Sequence, residues 1–176
     1  MDTGISIRRA RAGDEGALAL VGQATFLDTF SGVLDGTAIV EHCRQAHSIA
    51  QYGRWLDDPG YAVWLAEVTP GNAPIGYLVL APPDLPLADA SRDLELKRIY
   101  LLGRYQGTGT GKGLLARAMD HARSTGAARL LLGVYAGNDS AIGFYRRQGF
   151  VNLTTRKFKV GGRDYDDHVL SLALGT

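Results

Sequence analysis

The sequence predicts a mixed α/β domain built around one sheet. Short runs of β-favouring residues alternate with longer segments whose apolar residues recur at helical spacing. Glycine, proline and asparagine separate the two kinds of segment. A length of 176 residues with 45% apolar content suits one domain with a substantial core. Taken in order, Ile5 and Ile7 alternate with polar residues as a short first strand. Asp14 stands where it can N-cap a helix carrying Leu18, Val21 and Thr25 on one face. Thr37 to Leu56 reads as a second helical region, broken near Ser48 and closed by Pro59-Gly60. Tyr61 to Val68 and Ile75 to Ala81 read as strands joined by a turn around Pro70-Gly71-Asn72. Ala81 to Arg92 (APPDLPLADASR) holds three of the six prolines and reads as a loop. Leu94 to Leu102 (LELKRIYLL) is the next strand.

Beyond a glycine-rich stretch, Leu114, Leu115, Ala118, Met119 and Ala122 line one face of a helix, with Lys112, Arg117, Asp120 and Arg123 on the other. Arg129 to Tyr135 (RLLLGVY) is a buried strand. A shorter helix over Asp139 to Gln148 is closed by Gly149 at C′ and Phe150 at C″. The chain ends in a hairpin, Val151 to Val160 and Tyr165 to Leu172, turning at Gly161-Gly162. No repeat or low-complexity tract interrupts this order.

Composition narrows the function classes. A net charge of +1 argues against bulk electrostatic capture of nucleic acid or a membrane, so any anion site must be local. Cys43 is alone, which excludes an intramolecular disulfide and fits a reducing compartment. No apolar run approaches a membrane span, and the first residues lack a signal-peptide core, so a cytoplasmic location is expected. His42, Cys43 and His47 crowd one segment, but their spacing is not the i, i+4 histidine pair of a helical zinc site, and no metal is expected. They read as partly exposed residues of a structural helix. The arginines, scattered through the chain, read as solvated faces.

The segment with the clearest chemistry is Gln106 to Gly113 (QGTGTGKG). Glycine at this density lets backbone N–H groups face an anion, and the segment lies between a strand and a helix start, where the dipole favours phosphate. It is not a P-loop, because Gln106 stands at the first required glycine and Gly113 at the final hydroxyl. It is not a G-x-G-x-x-G dinucleotide loop either: Lys112 or Leu114 stands last in the two frames. The looser Gly111-Gly113-Ala116 frame lacks an acidic residue ending the next strand. A phosphate loop outside both nucleotide motifs remains, beside the alternative of a glycine-rich surface turn.

This order of elements, with Q-x-x-G-x-G at Gln106, Gly109 and Gly111, resembles the GCN5-related N-acetyltransferase (GNAT) family. Asn138 to Phe150 (NDSAIGFYRRQGF) is similar to that family's second signature: an asparagine starts a helix, a tyrosine follows seven residues on, and a GF pair closes it. Together the motifs span Leu94 to Phe150, and LELKRIYLLGRYQGTGTGKGLL looks most like bacterial polyamine-type and small-amine acetyltransferases. The resemblance implies a single domain over 1–176, with a twisted mixed sheet of six to seven strands and helices on both faces. It implies acetyl-CoA as cosubstrate, a small-molecule amine as acceptor, and a homodimer.

By the same resemblance, the amides of Gln106, Gly107, Thr108, Gly109, Thr110, Gly111 and Lys112 would hold the pyrophosphate. The edge of the Glu95 to Leu101 strand would pair with the pantetheine arm. The thioester would lie between Ile99, Tyr100 and Leu101 on one side and the Leu131 to Val134 strand on the other, beside Asn138 and Tyr145. Tyr145 would give a proton to the departing thiolate, a backbone N–H near Leu101 would face the oxyanion, and Glu95 would serve as base through water. Other readings stay open: Glu95 as a surface carboxylate paired with Lys97, Tyr145 as a packing aromatic, and the whole chain as an acyl-CoA sensor without turnover. Asp84, Asp89, Asp93, Glu95, Asp164, Asp166 and Asp167 would attract a cationic amine if the fold gathers them at one mouth, with Thr25 to Phe30 (TFLDTF) as an apolar wall.

Overall fold

The computed structural model describes residues 4–175; residues 1–3 and 176 of the expected domain lie outside the described range. Strand β1 (Ile5–Arg9) is followed by helices α1 (Glu15–Phe30), α2 (Gly36–Ala46) and α3 (Ile49–Asp57). Strands β2 (Ala62–Val68), β3 (Ala73–Ala81) and β4 (Asp93–Leu101) come next, then α4 (Thr110–Ser124), β5 (Arg129–Tyr135) and α5 (Asp139–Arg147). The hairpin of β6 (Val151–Val160) and β7 (Arg163–Ala173) closes the order. All seven strands form one sheet, β1-β2-β3-β4-β5-β7-β6, as the sequence leads one to expect. Among the described strands only β4 and β5 pair in parallel, because α4 carries the chain back across the sheet between them.

Each face of the sheet is covered by the helices whose apolar stripes match it. On one face Leu114, Leu115, Ala118 and Ala122 of α4 and Ile142 of α5 pack on Trp64, Leu78, Leu96, Leu130, Leu132 and Leu170. On the other, Leu18 and Val21 of α1 and Tyr52 and Trp55 of α3 pack on Val63, Leu65, Tyr77 and Val79. The end of α1 (Phe26, Phe30) joins Ile39 and Cys43 of α2 against Val160 and Phe158 of the hairpin. The proline loop places Leu85 over Leu131 and Val169.

Local chemistry explains where the helices begin. The break expected near Ser48 is real: its side chain accepts from the Gln51 amide at 3.0 Å and caps α3. Asp14 stands at the start of α1 but does not cap it with its side chain. The Arg8 guanidinium takes both Asp14 oxygens at 2.9 Å and also reaches Glu67, so the carboxylate ties β1 to the helix start. TFLDTF forms the last part of α1.

One irregularity shapes the site. The β3–β4 register slips between Val79 and Leu80: Val79 faces Arg98 and Leu80 faces Leu96. Lys97 is the extra residue of this bulge. In a regular strand Arg98 would lie on the face opposite Glu95, whereas the bulge brings it to the face of Glu95, with Lys97 Nζ still 4.0 Å from Glu95 Oε1.

Candidate active site

β4 and β5 hold together over three residue pairs, Asp93↔Arg129, Leu94↔Leu130 and Glu95↔Leu131, and then part. From Leu96 to Leu101 the strand has no partner on that side, while β5 stays paired to β7 as far as Tyr135. The sheet is therefore split in its middle. The freed edge of β4 offers N–H and C=O groups to any extended chain laid into the opening. The split begins one residue later on β5 than the sequence leads one to expect, since Leu131 is still paired. Along β4, Ile99 and Leu101 face α4, and Tyr100 faces the side of Tyr77 and α1.

The glycine loop lies at the open end of the split. After a turn of 3-10 helix at Gly103–Tyr105, Gly107 and Gly109 adopt positive φ (78° and 84°), and α4 starts at Thr110. Side chains cap α2, α3 and α5, but Gly109 gives α4 no such cap. Among the described residues, none accepts a hydrogen bond from the amides of Gly107 to Lys112. Six consecutive donors at a helix N-terminus form an anion cradle. The side chains nearby bond to each other instead: Thr108 Oγ1 donates to the Tyr105 carbonyl at 2.6 Å and lies 2.8 Å from Thr110 Oγ1. Gln106, expected to give an amide to the cradle, does not: its N–H donates to the Gly103 carbonyl at 3.1 Å, while its Nε2 reaches the Leu101 carbonyl at 3.3 Å; Lys112 is exposed.

α5 carries Tyr145 to the split. Asn138 Oδ1 accepts from the Ala141 amide at 3.2 Å and starts the helix, which leaves its Nδ2 free for a ligand carbonyl. At the other end the Phe150 amide donates to the Tyr145 carbonyl at 3.1 Å and the Gly149 amide to Arg146 at 3.0 Å, with Gly149 at φ 97°. That Schellman turn sets Phe150 against the Tyr145 ring, centroids 5.7 Å apart. Tyr145 is 7% exposed, and its hydroxyl bonds to no described residue. Burial, and Tyr100 across the split, push its pKa well above the ordinary tyrosine value, so the hydroxyl stays protonated at neutral pH.

Glu95 is not a surface carboxylate. It is 4% exposed, Oε2 accepts from the Asp84 amide at 2.8 Å, and Lys97 approaches Oε1 no closer than 4.0 Å. It lies on the face opposite α4 and α5, at the point where β4 and β5 part. Tyr145 and Glu95 thus approach the split from opposite faces of the sheet.

The seven carboxylates do not gather at one mouth. Asp93, gripped by Arg129, and Asp89, turned back on Ser91, lie where β4 begins. Asp164 and Asp166 lie out along the hairpin beside Lys159 and Lys157. Asp167, buried and held by Arg156, faces Tyr100 from the far end of β5. Burial raises the Asp167 pKa against the opposing pull of Arg156.

Arg98 was hidden among the scattered arginines of the sequence. It is half-buried, donates to the Ala46 carbonyl and the Tyr52 hydroxyl at 2.9 Å each, and lies 4.7 Å over the Trp55 ring. Its position in an apolar strand between Leu96 and Ile99 is the signal that could have found it. His42 and His47 are packing residues: His42 stacks on Phe26 at 4.4 Å, and His47, expected to be partly exposed, is 1% exposed with Nδ1 2.9 Å from the Tyr52 hydroxyl.

Burial, then Arg98 and His42, push the His47 pKa down from 6.5 to about 2. Between those values the unfolded chain binds one proton more than the folded one. Stability from this group is full above pH 6.5 and is lost as pH falls below it, by up to about 1.4 kcal/mol per pH unit. Urea midpoints should drop between about pH 7 and about pH 5, and His47→Asn should flatten that drop.

Comparison with known proteins agrees with this geometry. The profile described as "Acetyltransferase (GNAT) family" matches residues 28–150. Uncharacterised N-acetyltransferases of Mycobacterium tuberculosis and Mycobacterium bovis are 34% identical over 123 residues, which is 70% of this chain and 74% of theirs. An uncharacterised N-acetyltransferase of Lactobacillus delbrueckii is 27% identical over 98% of this chain and 99% of its own. Among solved structures, the PaiA N-acetyltransferase of Thermoplasma acidophilum in complex with coenzyme A superposes with a TM-score of 0.79 at 22% identity, covering 97% of this chain and 99% of that one. The yncA protein of Salmonella typhimurium, solved with acetyl-CoA, gives 0.69 at 22% identity over 98% and 95%. With a family match over most of its length, a parted β4–β5 pair and an uncapped glycine loop, the chain belongs to the GNAT family of acetyl-CoA-dependent N-acetyltransferases.

Proposed function

We propose that this protein moves the acetyl group of acetyl-CoA directly to a primary amine, a small amine in preference to a polyamine, within a ternary complex. The observation that carries this reading is the split between β4 and β5, which has the phosphate cradle at its open end and a protonated tyrosine and a buried carboxylate on its two faces. Acetyl-CoA supplies the acyl group as a thioester. The amides from Gly107 to Lys112 bind the pyrophosphate, and the free edge of β4 pairs with the pantetheine amides. An amine entering on the Glu95 face loses its proton to that carboxylate through water. A backbone N–H near Leu101 faces the oxyanion, and Tyr145, on the other face, donates to the leaving sulfur. Burial makes Tyr145 a weaker acid and keeps its proton in place until a thiolate develops beside it. A polyamine acceptor finds no acidic mouth here, because the carboxylates are dispersed and most are paired.

Direct transfer is supported by the position of the thiol, the side chain best suited to carry an acyl group, away from the split. Cys43, the lone cysteine, is buried in α2 among Phe26, Phe30 and Ile39, and burial raises its thiol pKa. Initial velocities measured against both substrates should therefore give intersecting double-reciprocal lines. Parallel lines, the pattern of an acetylated enzyme, would contradict the proposal.

A further inference from the structure

The β4 bulge sets Arg98 on the same face as Glu95, beside the split. Several other buried or half-buried charges have a close partner of opposite sign: Asp93 with Arg129, Asp167 with Arg156, and Glu67 and Asp14 with Arg8. Arg98 has none, since among the described residues no carboxylate lies within ion-pair distance of it. One of its terminal nitrogens is used, by the Ala46 carbonyl, the Tyr52 hydroxyl and His47 Nδ1 at 3.3 Å. The edge formed by Nε and the other terminal nitrogen bonds to no described residue. Next to it lies the fully buried Tyr77, whose hydroxyl neighbours that of Tyr52. A half-buried guanidinium placed over Trp55, with its two-pronged edge bonded to no described residue, is a costly arrangement until a planar anion meets it.

We propose that Arg98 reads a carboxylate on the acceptor, so that the substrate is a carboxylate-bearing primary amine whose amino end is held toward Glu95. This inference rests on the acetyl-transfer reading above and deepens it by naming the acceptor's second group. It also explains how an amine is positioned without an acidic mouth: the anchor is a cation that binds the acceptor's anionic end.

The test uses matched compounds, an amino acid and the amine left by its decarboxylation, with a phosphate-bearing amine as a third. Thiol release from acetyl-CoA is followed for the wild type, Arg98→Gln and Arg98→Lys, and thermal midpoints show whether each variant is folded. The wild type should prefer the amino acid by about 10- to 100-fold in kcat/KM, mainly through KM, the range of a charge-assisted bidentate contact. Arg98→Gln should bring the ratio near one, and Arg98→Lys should restore part of it. Equal rates for the paired compounds, a preference for the decarboxylated or phosphate-bearing amine, or a ratio unchanged in a folded Arg98→Gln would each overturn the proposal. The last outcome would make Arg98 a staple between α2 and β4. Calorimetric titration of the same compounds into wild-type protein with coenzyme A gives a second readout that needs no turnover. If no amine releases thiol, the transfer reading fails, yet tighter binding of the amino acid would still support the carboxylate site, and equal binding would remove it.

Discussion

Gly111→Asp is expected to abolish measurable acetyl-CoA binding in a protein that still folds. Gly111 lies in the first turn of α4, in the middle of six amides with no partner among the described residues, and it does not use positive φ. A Cβ there would meet nothing closer than the Phe144 ring at 3.8 Å, an ordinary contact, so the side chain itself is tolerated. Its charge is not. A carboxylate about 4 Å from a pyrophosphate costs roughly 1–4 kcal/mol, or about 5- to 1000-fold in affinity. Gly109→Asp should bind as poorly, but its φ of 84° adds backbone strain of about 1–2 kcal/mol and confounds binding with stability. Lys112→Ala should be milder, because the cradle is backbone and the lysine is exposed. Calorimetry decides: a folded Gly111→Asp with wild-type affinity would remove the loop from the site.

Tyr145→Phe is expected to cost turnover and spare binding. The ring remains wedged against Phe144 and Phe150, at 5.4 and 5.7 Å, and the hydroxyl removed bonds to no described residue, so the fold should be unaffected. A proton donor to the leaving thiolate acts in the transition state and little in the ground state. The loss should be on the order of 10²–10⁴ in kcat and in kcat/KM alike. It should shrink for acyl donors whose thiol is more acidic and leaves without help. A defect confined to acetyl-CoA affinity would make Tyr145 a packing residue.

The parts of this site that were legible in the sequence are those fixed by local chemistry. Glycines that need positive φ, an asparagine cap and a Gly-Phe helix end are short-range devices, and they placed the glycine loop before a helix, Asn138 at the start of the next helix and Gly149-Phe150 at its end. The split in the sheet was legible only through family resemblance, since nothing local says where two parallel strands stop pairing. The bulge at Lys97 was not legible at all, because a register slip depends on how β3 and β4 pack against both helix layers. Without it, alternation pairs Glu95 with Lys97 and sends Arg98 to the opposite face, which is why Glu95 also read as a surface carboxylate and Arg98 as one more solvated charge. The acidic mouth failed for a related reason: spacing along the chain does not show that Asp93 and Asp167 belong to opposite ends of β5, each held by an arginine of its own.

The central claim is that one chain both binds acetyl-CoA and transfers its acetyl group to an amine at the β4–β5 split. The most direct measurement counts two products in the same reaction, free coenzyme A thiol and acetylated amine, for the wild type and Tyr145→Phe across a panel of primary amines that includes carboxylate-bearing ones. The wild type should release thiol and N-acetyl product in equal amounts, both dependent on the amine, and Tyr145→Phe should release both much more slowly at undiminished acetyl-CoA affinity. Tight acetyl-CoA binding with no amine-dependent thiol release from the wild type would contradict it, and would identify the protein as an acyl-CoA sensor.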